Sequence, residues 1–266
     1  MRTQVSADEV ARAAAGRPCW TVRRSVFRRA LRQLRYANEA TGVAFTLDPV
    51  AAGLHVRLNL ARPSFYGLEA VGEVFHLAEA LRADVLCADD AVDADDLMKV
   101  WLAANAEGWD VAEEAGAEYA TIETEPCLRW WRWQRNLPEL RAEFDGVAWL
   151  PSVTLLMENA TGRAVRLSTW AEGQAEALPD VDYVLYLASV ERPTEPVAIP
   201  AAVVRELLDD LLVRTLSTDG VEVPYVPVAA DAVARERAAG LAADHSPLAA
   251  DAYRMISPAQ LCDQPE

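Results

Sequence analysis

Lysine is almost missing from this sequence of 266 residues, because only Lys99 among its 25 basic residues is a lysine and the others are arginine. Together with the abundant alanine, this bias indicates a GC-rich genome rather than a particular chemistry. Cysteine is also scarce, and the four cysteines are too widely spaced to form a Cys-x-x-Cys pair. The usual sequence patterns of zinc sites and of thioredoxin-type redox centres are therefore excluded.

Long apolar runs are missing as well. No stretch reaches the length of unbroken apolar residues that a membrane span needs, and the charged N-terminal region is not followed by the apolar core of a signal peptide. We therefore expect a cytoplasmic protein without a membrane partner.

Catalytic signatures are the third absence. The sequence has no Gly-x-Ser-x-Gly motif, no glycine-rich phosphate loop and only three histidines. The pair Glu73 and His76 has the spacing of a carboxylate-bridged metal motif, but the second copy that such sites require is missing. The sequence therefore predicts no catalytic residues, no metal site and no cofactor, and it favours a protein that is not an enzyme.

What the sequence does contain is acidic charge. The net charge is −16, although residues 1–35 are basic, and the densest acidic block is 83–125, where 13 carboxylates face only Lys99. Such a balance repels nucleic acid, whose affinity for proteins comes largely from phosphate neutralisation. It attracts basic proteins and accelerates their encounter. We therefore expect a basic protein partner and no nucleic-acid partner.

The first 90 residues alternate between strand and helix patterns in the order β-α-β-β-α-β. This order predicts a split βαβ lobe, the arrangement called ferredoxin-like, with sheet order 4-1-3-2. It would place Cys19 and Cys87 on neighbouring strands. The predicted elements are strand 19–23, helix 25–42, strands 43–47 and 54–60, helix 63–83 and strand 84–88.

The remaining chain predicts helices from 94 to about 137, then a small antiparallel sheet lobe with a covering helix. The predicted strands are 147–157, 163–170 and 181–190, and the covering helix is 200–216. The whole chain is therefore expected to be an α+β protein. We expect an N-terminal lobe over 1–122, a helix-plus-sheet lobe over 123–216 and an extended or helical segment over 217–266.

An arginine row is expected on the first predicted helix, where Arg24, Arg28, Arg32 and Arg35 share one flank. Such a row could bind nucleic acid. Alternatively, it could pack beside the second helix, where Glu79 would face it and Glu69 and Glu73 would lie farther out on a solvated face. We favour packing.

A second candidate is the aspartate-rich stretch 87–96, which follows the carboxyl end of a predicted strand. Carboxylates at this place could hold Mg²⁺ for phosphoryl chemistry. The simpler interpretation is an acidic loop in which Asp93 or Asp95 caps the next helix. The candidate binding residues of this stretch are Asp89, Asp90, Asp93, Asp95 and Asp96.

The third candidate is the stretch LRWWRWQRNLPELR over 128–141. As a helix that Thr124 caps and Pro138 ends, it places Trp130, Trp133 and Leu137 on one stripe. This spacing predicts core residues that pack on the following sheet. Trp131 lies off the stripe and is the candidate for a partner contact.

These observations favour a non-enzymatic, acidic protein-binding module for a basic partner. An immunity-type inhibitor of a toxin or an adaptor would belong to this class. The alternative is a metal-assisted hydrolase or transferase that uses the loop of Asp89 and Asp90.

Overall fold

The computed structural model describes residues 6–24, 31–51, 53–170, 175–187, 196–218, 220–245, 248–249 and 251–263. Over these ranges the chain is an α+β protein, as predicted. It forms two compact units. The first comprises Met1–Tyr119 and Pro258–Glu266, and the second comprises Ala120–Ser257.

The first unit contains an antiparallel sheet whose four strands follow one another in chain order, β1-β2-β3-β4. A short hairpin and three helices complete its N-terminal part. The elements are α1 (Ala7–Ala14), β1 (Trp20–Arg24), β2 (Leu31–Asn38), β3 (Val43–Val50), β4 (Gly53–Arg57), α2 (Ser64–Leu81), β5 (Leu86–Cys87), β6 (Asp90–Ala91) and α3 (Ala94–Glu114).

Strand β2 corrects the predicted helix 25–42, of which residues 25–30 lie outside the described part of the chain. In the pairing with β1, Arg23 lies opposite Gln33 and Arg24 lies opposite Leu31, so Arg32 is an extra residue. This β-bulge places Leu31 and Leu34 on the same buried face although they are three positions apart. The bulge therefore imitated the apolar spacing of a helix.

The strand order also replaces the predicted ferredoxin-like arrangement, which is not confirmed. All four strands of the sheet pair antiparallel with their neighbours in sequence, whereas the predicted order was 4-1-3-2. Cys87 lies in β5, which pairs with β6. The expected position of Cys19 and Cys87 on neighbouring strands is therefore wrong.

Helices α2 and α3 meet where a glycine allows close approach. The Trp101 ring stacks on Tyr66 with ring centroids 5.7 Å apart, and a Cβ atom on Gly67 would stand only 2.3 Å from the Trp101 ring. The Trp101 indole N–H donates a 3.2 Å hydrogen bond to the Asn59 carbonyl. Only glycine at position 67 therefore leaves room for this tryptophan.

Glu69 of α2 is fully buried, although the sequence pattern placed it on a solvated face. Its Oε1 accepts hydrogen bonds from the Tyr36 hydroxyl at 2.7 Å, from Asn38 Nδ2 at 2.8 Å and from the Thr41 hydroxyl at 3.1 Å. Burial, and next the charge of Glu69, raise the pKa of Tyr36 well above its usual value. Three donors that lie far away in sequence compensate the desolvation of this carboxylate, and helix periodicity alone does not reveal them.

The first unit is completed by a short 3₁₀ turn at Pro258–Gln260 and by the residues that follow it. Asp263 is buried, and its side chain accepts hydrogen bonds from the Ser64 amide at 2.8 Å and from the Ser64 hydroxyl. Ser64 is the first residue of α2, whose N-cap residue Pro63 forms no side-chain cap. Asp263 therefore supplies the carboxylate that the amino end of this helix requires.

The second unit combines a long helix with a five-stranded sheet and a three-stranded sheet. The five strands have the order β12-β11-β9-β8-β15, and the three strands have the order β10-β14-β13. The elements are β7 (Ala120–Thr121), α4 (Thr124–Glu143), β8 (Thr154–Glu158), β9 (Ala164–Trp170), β10 (Glu176–Ala177), β11 (Tyr183–Tyr186), β12 (Val197–Pro200), α5 (Ala201–Leu208), β13 (Val213–Leu216), β14 (Glu222–Val226), α6 (Val228–Ala243) and β15 (Tyr253–Met255); β16 (Leu261–Cys262) follows in the first unit.

Two details of the predicted sheet lobe are corrected. Strands β9 and β11 run parallel, so the larger sheet is mixed rather than wholly antiparallel. The predicted helix 200–216 ends at Leu208, because residues 213–216 form a strand that pairs with β14. In the turn between these strands, Gly220 has a φ of 75°, a conformation that glycine adopts without strain.

Candidate functional site

Helix α4 carries the tryptophans that the sequence placed in the core, and both are buried as predicted. The Trp130 indole N–H donates to the Val153 carbonyl at 3.3 Å, and the Trp133 indole N–H donates to the Pro151 carbonyl at 2.9 Å. Each ring is therefore held both by burial of its apolar surface and by the hydrogen bond of its indole N–H.

The ends of α4 differ from the prediction. Glu123, not Thr124, occupies the N-cap position, and the helix continues through Pro138 to Glu143. Pro138 is exposed, whereas Leu137, Leu140 and Phe144 continue the buried stripe beyond it. Burial of this stripe outweighs the roughly 3 kcal/mol that an internal proline costs.

Trp131, which lies off the core stripe, is half-buried. The Arg135 guanidinium carbon lies 5.5 Å from the centre of the Trp131 ring, within the range of a cation–π contact. A partner contact at Trp131 stays a prediction.

The same helix lines a pocket, here called the arginine pocket, with a volume of about 710 Å³. One wall comes from α4, where Arg129, Arg132, Trp133 and Asn136 are spaced for one face. The other walls come from the segment after β10, from α5 and the residues that follow it, and from the β13–β14 hairpin. They contribute Leu178, Asp180, Arg205, Leu212, Arg214, Gly220, Val221, Glu222 and Pro224.

Asp180 joins three arginines, two of which line this pocket with it. Its carboxylate pairs with Arg129, with Arg166 at 3.3 Å and with Arg205 at 3.4 Å. Arg166 is buried and also pairs with Asp182 at 3.0 Å. Burial raises the pKa of Asp180, but the Arg129 hydrogen bond and the neighbouring guanidinium charges outweigh it and hold that pKa below its usual value.

Arg132 differs from the other arginines of the pocket. Arg214 is held between Asp209 at 2.8 Å and Glu222 at 3.5 Å, whereas Arg132 is exposed and has no hydrogen bond or ion pair with any residue that the structure describes. Four arginines and two carboxylates line the described pocket. Arg129 also pairs with Glu125 at 3.6 Å and Arg214 with Asp209, so Arg132 is the arginine of this lining that has no carboxylate partner in the described part of the chain.

Sequence reasoning missed the arginine pocket. The spacing of Arg129, Arg132 and Asn136 at i, i+3 and i+7 was a usable signal, since these positions share a helix face. Asp180, Arg205 and Arg214 come from three distant segments whose convergence no local pattern shows.

The aspartate-rich stretch forms the β5–β6 hairpin and the start of α3. Ala88 and Asp89 have φ values of 49° and 74° in the two-residue turn, and Asp89 and Asp90 are exposed. Asp93 caps α3 as predicted, because its side chain accepts the Asp96 amide at 2.8 Å. Asp95 and Asp96 are exposed on the first turn, where Asp96 pairs with Lys99 at 2.9 Å.

The described residues contain no group of three or more His, Cys, Asp and Glu side chains that could hold a metal ion. Among the described residues, Asp89 and Asp90 therefore have no third side chain beside them that would complete a metal site. Glu73, which was considered with His76 as a metal motif, accepts a 3.1 Å hydrogen bond from the Trp20 indole N–H instead.

The arginine row of the predicted N-terminal helix lies on strands, apart from Arg28, which is outside the described residues. Arg24 pairs with Asp8 of α1 at 3.1 Å. Arg23, Arg24 and Arg32 line a pocket of about 460 Å³ with Gln33 and Asp48. The packing against Glu79 that the predicted helix implied is lost with that helix.

Helix α3 exposes most of its surface. Its buried residues are Trp101, Asn105 and Trp109.

None of the helices in the described part of the chain is long and apolar enough to cross a membrane. Comparisons with protein-family models, with curated proteins and with solved structures find no match to this chain.

Proposed function

We propose that the first unit is a non-enzymatic protein-binding module that presents one face of α3 to a basic partner protein. The observation that carries this proposal is the contrast along α3 between three buried side chains and a continuous exposed stripe. We call this stripe the acidic face: Asp96, Val100, Ala103, Glu107, Asp110 and Glu114.

The acidic face follows one line along the helix. Its members are spaced by four, three, four, three and four residues, the spacing that keeps side chains on one side of an α-helix. All six are exposed, and their side lies opposite the anchors Trp101 and Trp109. A partner could therefore contact the whole length of the stripe without disturbing the packing of α3.

Apolar side chains lie within this acidic surface. Val100 is 49% exposed, and Val111, on the flank of the acidic face, is 65% exposed. Protein interfaces combine an apolar centre with a polar rim, and these valines supply such a centre on α3.

The charge of α3 selects the partner. The helix carries six carboxylates against Lys99, so its field accelerates the approach of a basic protein and disfavours an acidic one. An immunity-type inhibitor of a basic toxin, or an adaptor for a basic protein, is the kind of molecule that we propose, with the cytoplasm as its location.

The alternative function, a metal-assisted hydrolase or transferase, draws no support from the position of Asp89 and Asp90 at an exposed hairpin tip. A thermal-shift titration with Mg²⁺ and Mn²⁺ tests it directly. Metal-dependent stabilisation that is lost in the double variant Asp89→Asn/Asp90→Asn would favour the enzyme over the binding module.

The proposal is tested by affinity capture from the native organism, followed by reconstitution. The full chain and the variant Glu107→Gln/Asp110→Asn/Glu114→Gln are immobilised in parallel, and captured proteins are identified by mass spectrometry. We expect a basic protein that the variant does not retain, and whose purified form binds the wild-type chain more weakly as salt is raised.

A matched control separates the acidic face from net charge. The variant Glu139→Gln/Asp145→Asn/Glu206→Gln removes the same charge from exposed positions of the second unit, and it should bind the partner like wild type. Equal loss of binding in both triple variants, or a captured partner indifferent to the α3 substitutions, would overturn the proposal.

A further inference from the structure

We propose that the arginine pocket of the second unit binds a small organic anion through its phosphate or carboxylate group. This inference concerns residues of the second unit alone and is independent of the function proposed for α3.

The charge of the pocket points to an anion. Its described lining brings four guanidinium groups together with two carboxylates, and the exposed Arg132 forms no ion pair with any described residue. A planar guanidinium matches two oxygens of a phosphate or carboxylate with two parallel N–H donors. An oxyanion beside Arg132 would therefore supply the counter-charge that this guanidinium lacks among the described residues, since the other arginines of the lining are paired with carboxylates.

The other donors are held in place before any ligand arrives. Arg129 and Arg205 are both fixed to Asp180, and the Arg205 guanidinium also donates to the Pro179 carbonyl at 2.6 Å. Side chains that are already ordered lose little conformational freedom on binding. The ion pairs of Asp180 with Arg129 and Arg205 therefore favour an anion bound in one defined geometry over nonspecific electrostatic attraction.

The size and the remaining lining define the body of the ligand. A volume of about 710 Å³ falls within the range of roughly 300–1,000 Å³ that small-molecule sites occupy. Leu178, Leu212, Val221 and Pro224 add apolar surface between the arginines. The class of ligand that fits is an oxyanion attached to an apolar group at least the size of an aromatic ring, such as an aryl phosphate.

The test is isothermal titration calorimetry of the full chain at low salt with phenyl phosphate, benzoate, inorganic phosphate and benzyl alcohol. We expect saturable binding of phenyl phosphate or benzoate, with the better of the two tighter than inorganic phosphate, and no binding of benzyl alcohol. Failure of both aromatic anions to bind would overturn the proposal, as would inorganic phosphate binding as tightly as the better of the two.

Variants locate the site. Arg132→Gln should weaken binding of the aromatic anion about tenfold or more, since it removes a charge-assisted hydrogen bond. Asn136→Asp places a carboxylate four residues from Arg132 at the pocket wall without a change in size, and it should weaken binding at least as much. The control Arg163→Gln removes the same charge from an exposed position outside the pocket.

Thermal melts of all three variants show whether they fold. Wild-type melting with lost binding in Arg132→Gln and Asn136→Asp, together with intact binding in Arg163→Gln, would support the site. Unchanged binding in Asn136→Asp, or equal losses in Arg132→Gln and Arg163→Gln, would show that the anion binds elsewhere and would overturn the proposal.

Discussion

Helices α3 and α4 have almost the same length, and each is anchored by two buried tryptophans, yet they use the rest of their surface differently. Besides Trp101 and Trp109, α3 buries only Asn105. Besides Trp130 and Trp133, α4 buries Cys127, Gln134, Leu137 and Leu140. The buried tryptophans therefore show where each helix is packed against its unit. The other side chains show how much of the helix surface stays exposed to solvent.

The charged residues of the two helices differ in the same way. On α4, Arg129 reaches Asp180 and Arg141 donates to the Leu150 carbonyl at 3.0 Å, so two of its arginines hold the second unit together. On α3, Lys99 pairs with Asp96, and the carboxylates Glu107, Asp110 and Glu114 extend into solvent. The arginines of α4 therefore form internal contacts and line the arginine pocket, whereas the carboxylates of α3 lie on exposed surface.

The largest expected effect concerns the anchors of α4. Trp130→Ala or Trp133→Ala should lower the free energy of unfolding by about 3–5 kcal/mol, because each substitution leaves a large cavity. Urea denaturation measures the change. The control Trp131→Ala should cost less, about 1–2 kcal/mol, because this ring is half-buried and makes a cation–π contact with Arg135, and a loss as large as that of Trp133→Ala would contradict the contrast.

The close approach of α2 to α3 provides a sharper test of how α3 is fixed. Gly67→Ala should destabilise the protein by about 1–3 kcal/mol, because its Cβ would collide with the Trp101 ring. Gly72→Ala on the same helix meets nothing within 4 Å and should stabilise the protein by about 0.5–1 kcal/mol. Thermal melts of both variants check the opposite signs.

Acid should weaken the second unit through Asp180. Because its pKa is lowered in the folded protein from the ordinary value of 3.8, the ionised form stabilises the fold above about pH 4, and this contribution is lost as the pH falls through the lowered value. In Asp180→Asn we expect lower stability at pH 6 and a smaller further loss between pH 4 and pH 2. Urea midpoints of the wild type and of Asp180→Asn at these pH values measure the difference.

The smallest effect is expected on the acidic face itself. Glu107→Gln/Asp110→Asn/Glu114→Gln should change the free energy of unfolding by no more than about 0.5 kcal/mol, as is usual for exposed substitutions. Urea denaturation is again the measurement. A loss of several kcal/mol would mean that these carboxylates stabilise the fold, and the difference between α3 and α4 would disappear.

The sequence was most informative where a helix has one dominant apolar stripe. The burial of Trp130, Trp133 and Leu137 was predicted from their spacing, and a cap at Asp93 or Asp95 was predicted as well, of which Asp93 is the one observed. These features depend on side chains within one or two helical turns. Local periodicity is sufficient to predict such features because the residues that determine them are close together in the sequence.

The prediction was wrong where distant residues decide the structure. The extra residue Arg32 in the β-bulge made a strand resemble a helix, and the buried Glu69 depends on Tyr36, Asn38 and Thr41, about 30 positions away. The arginine pocket likewise requires α4, α5 and the β13–β14 hairpin to converge. A buried carboxylate and a site of this kind exist only after the chain has folded.

The hydrogen bonds from Ser64 to Asp263 bear on the order in which the protein is made. Asp263 follows the whole second unit in the sequence and is therefore synthesised after it, so the amino end of α2 lacks its carboxylate until the chain has been extended past that unit. The second unit is continuous in sequence, so its own contacts depend on no segment that is synthesised after it. The first unit reaches its final set of contacts last, although most of it is synthesised first.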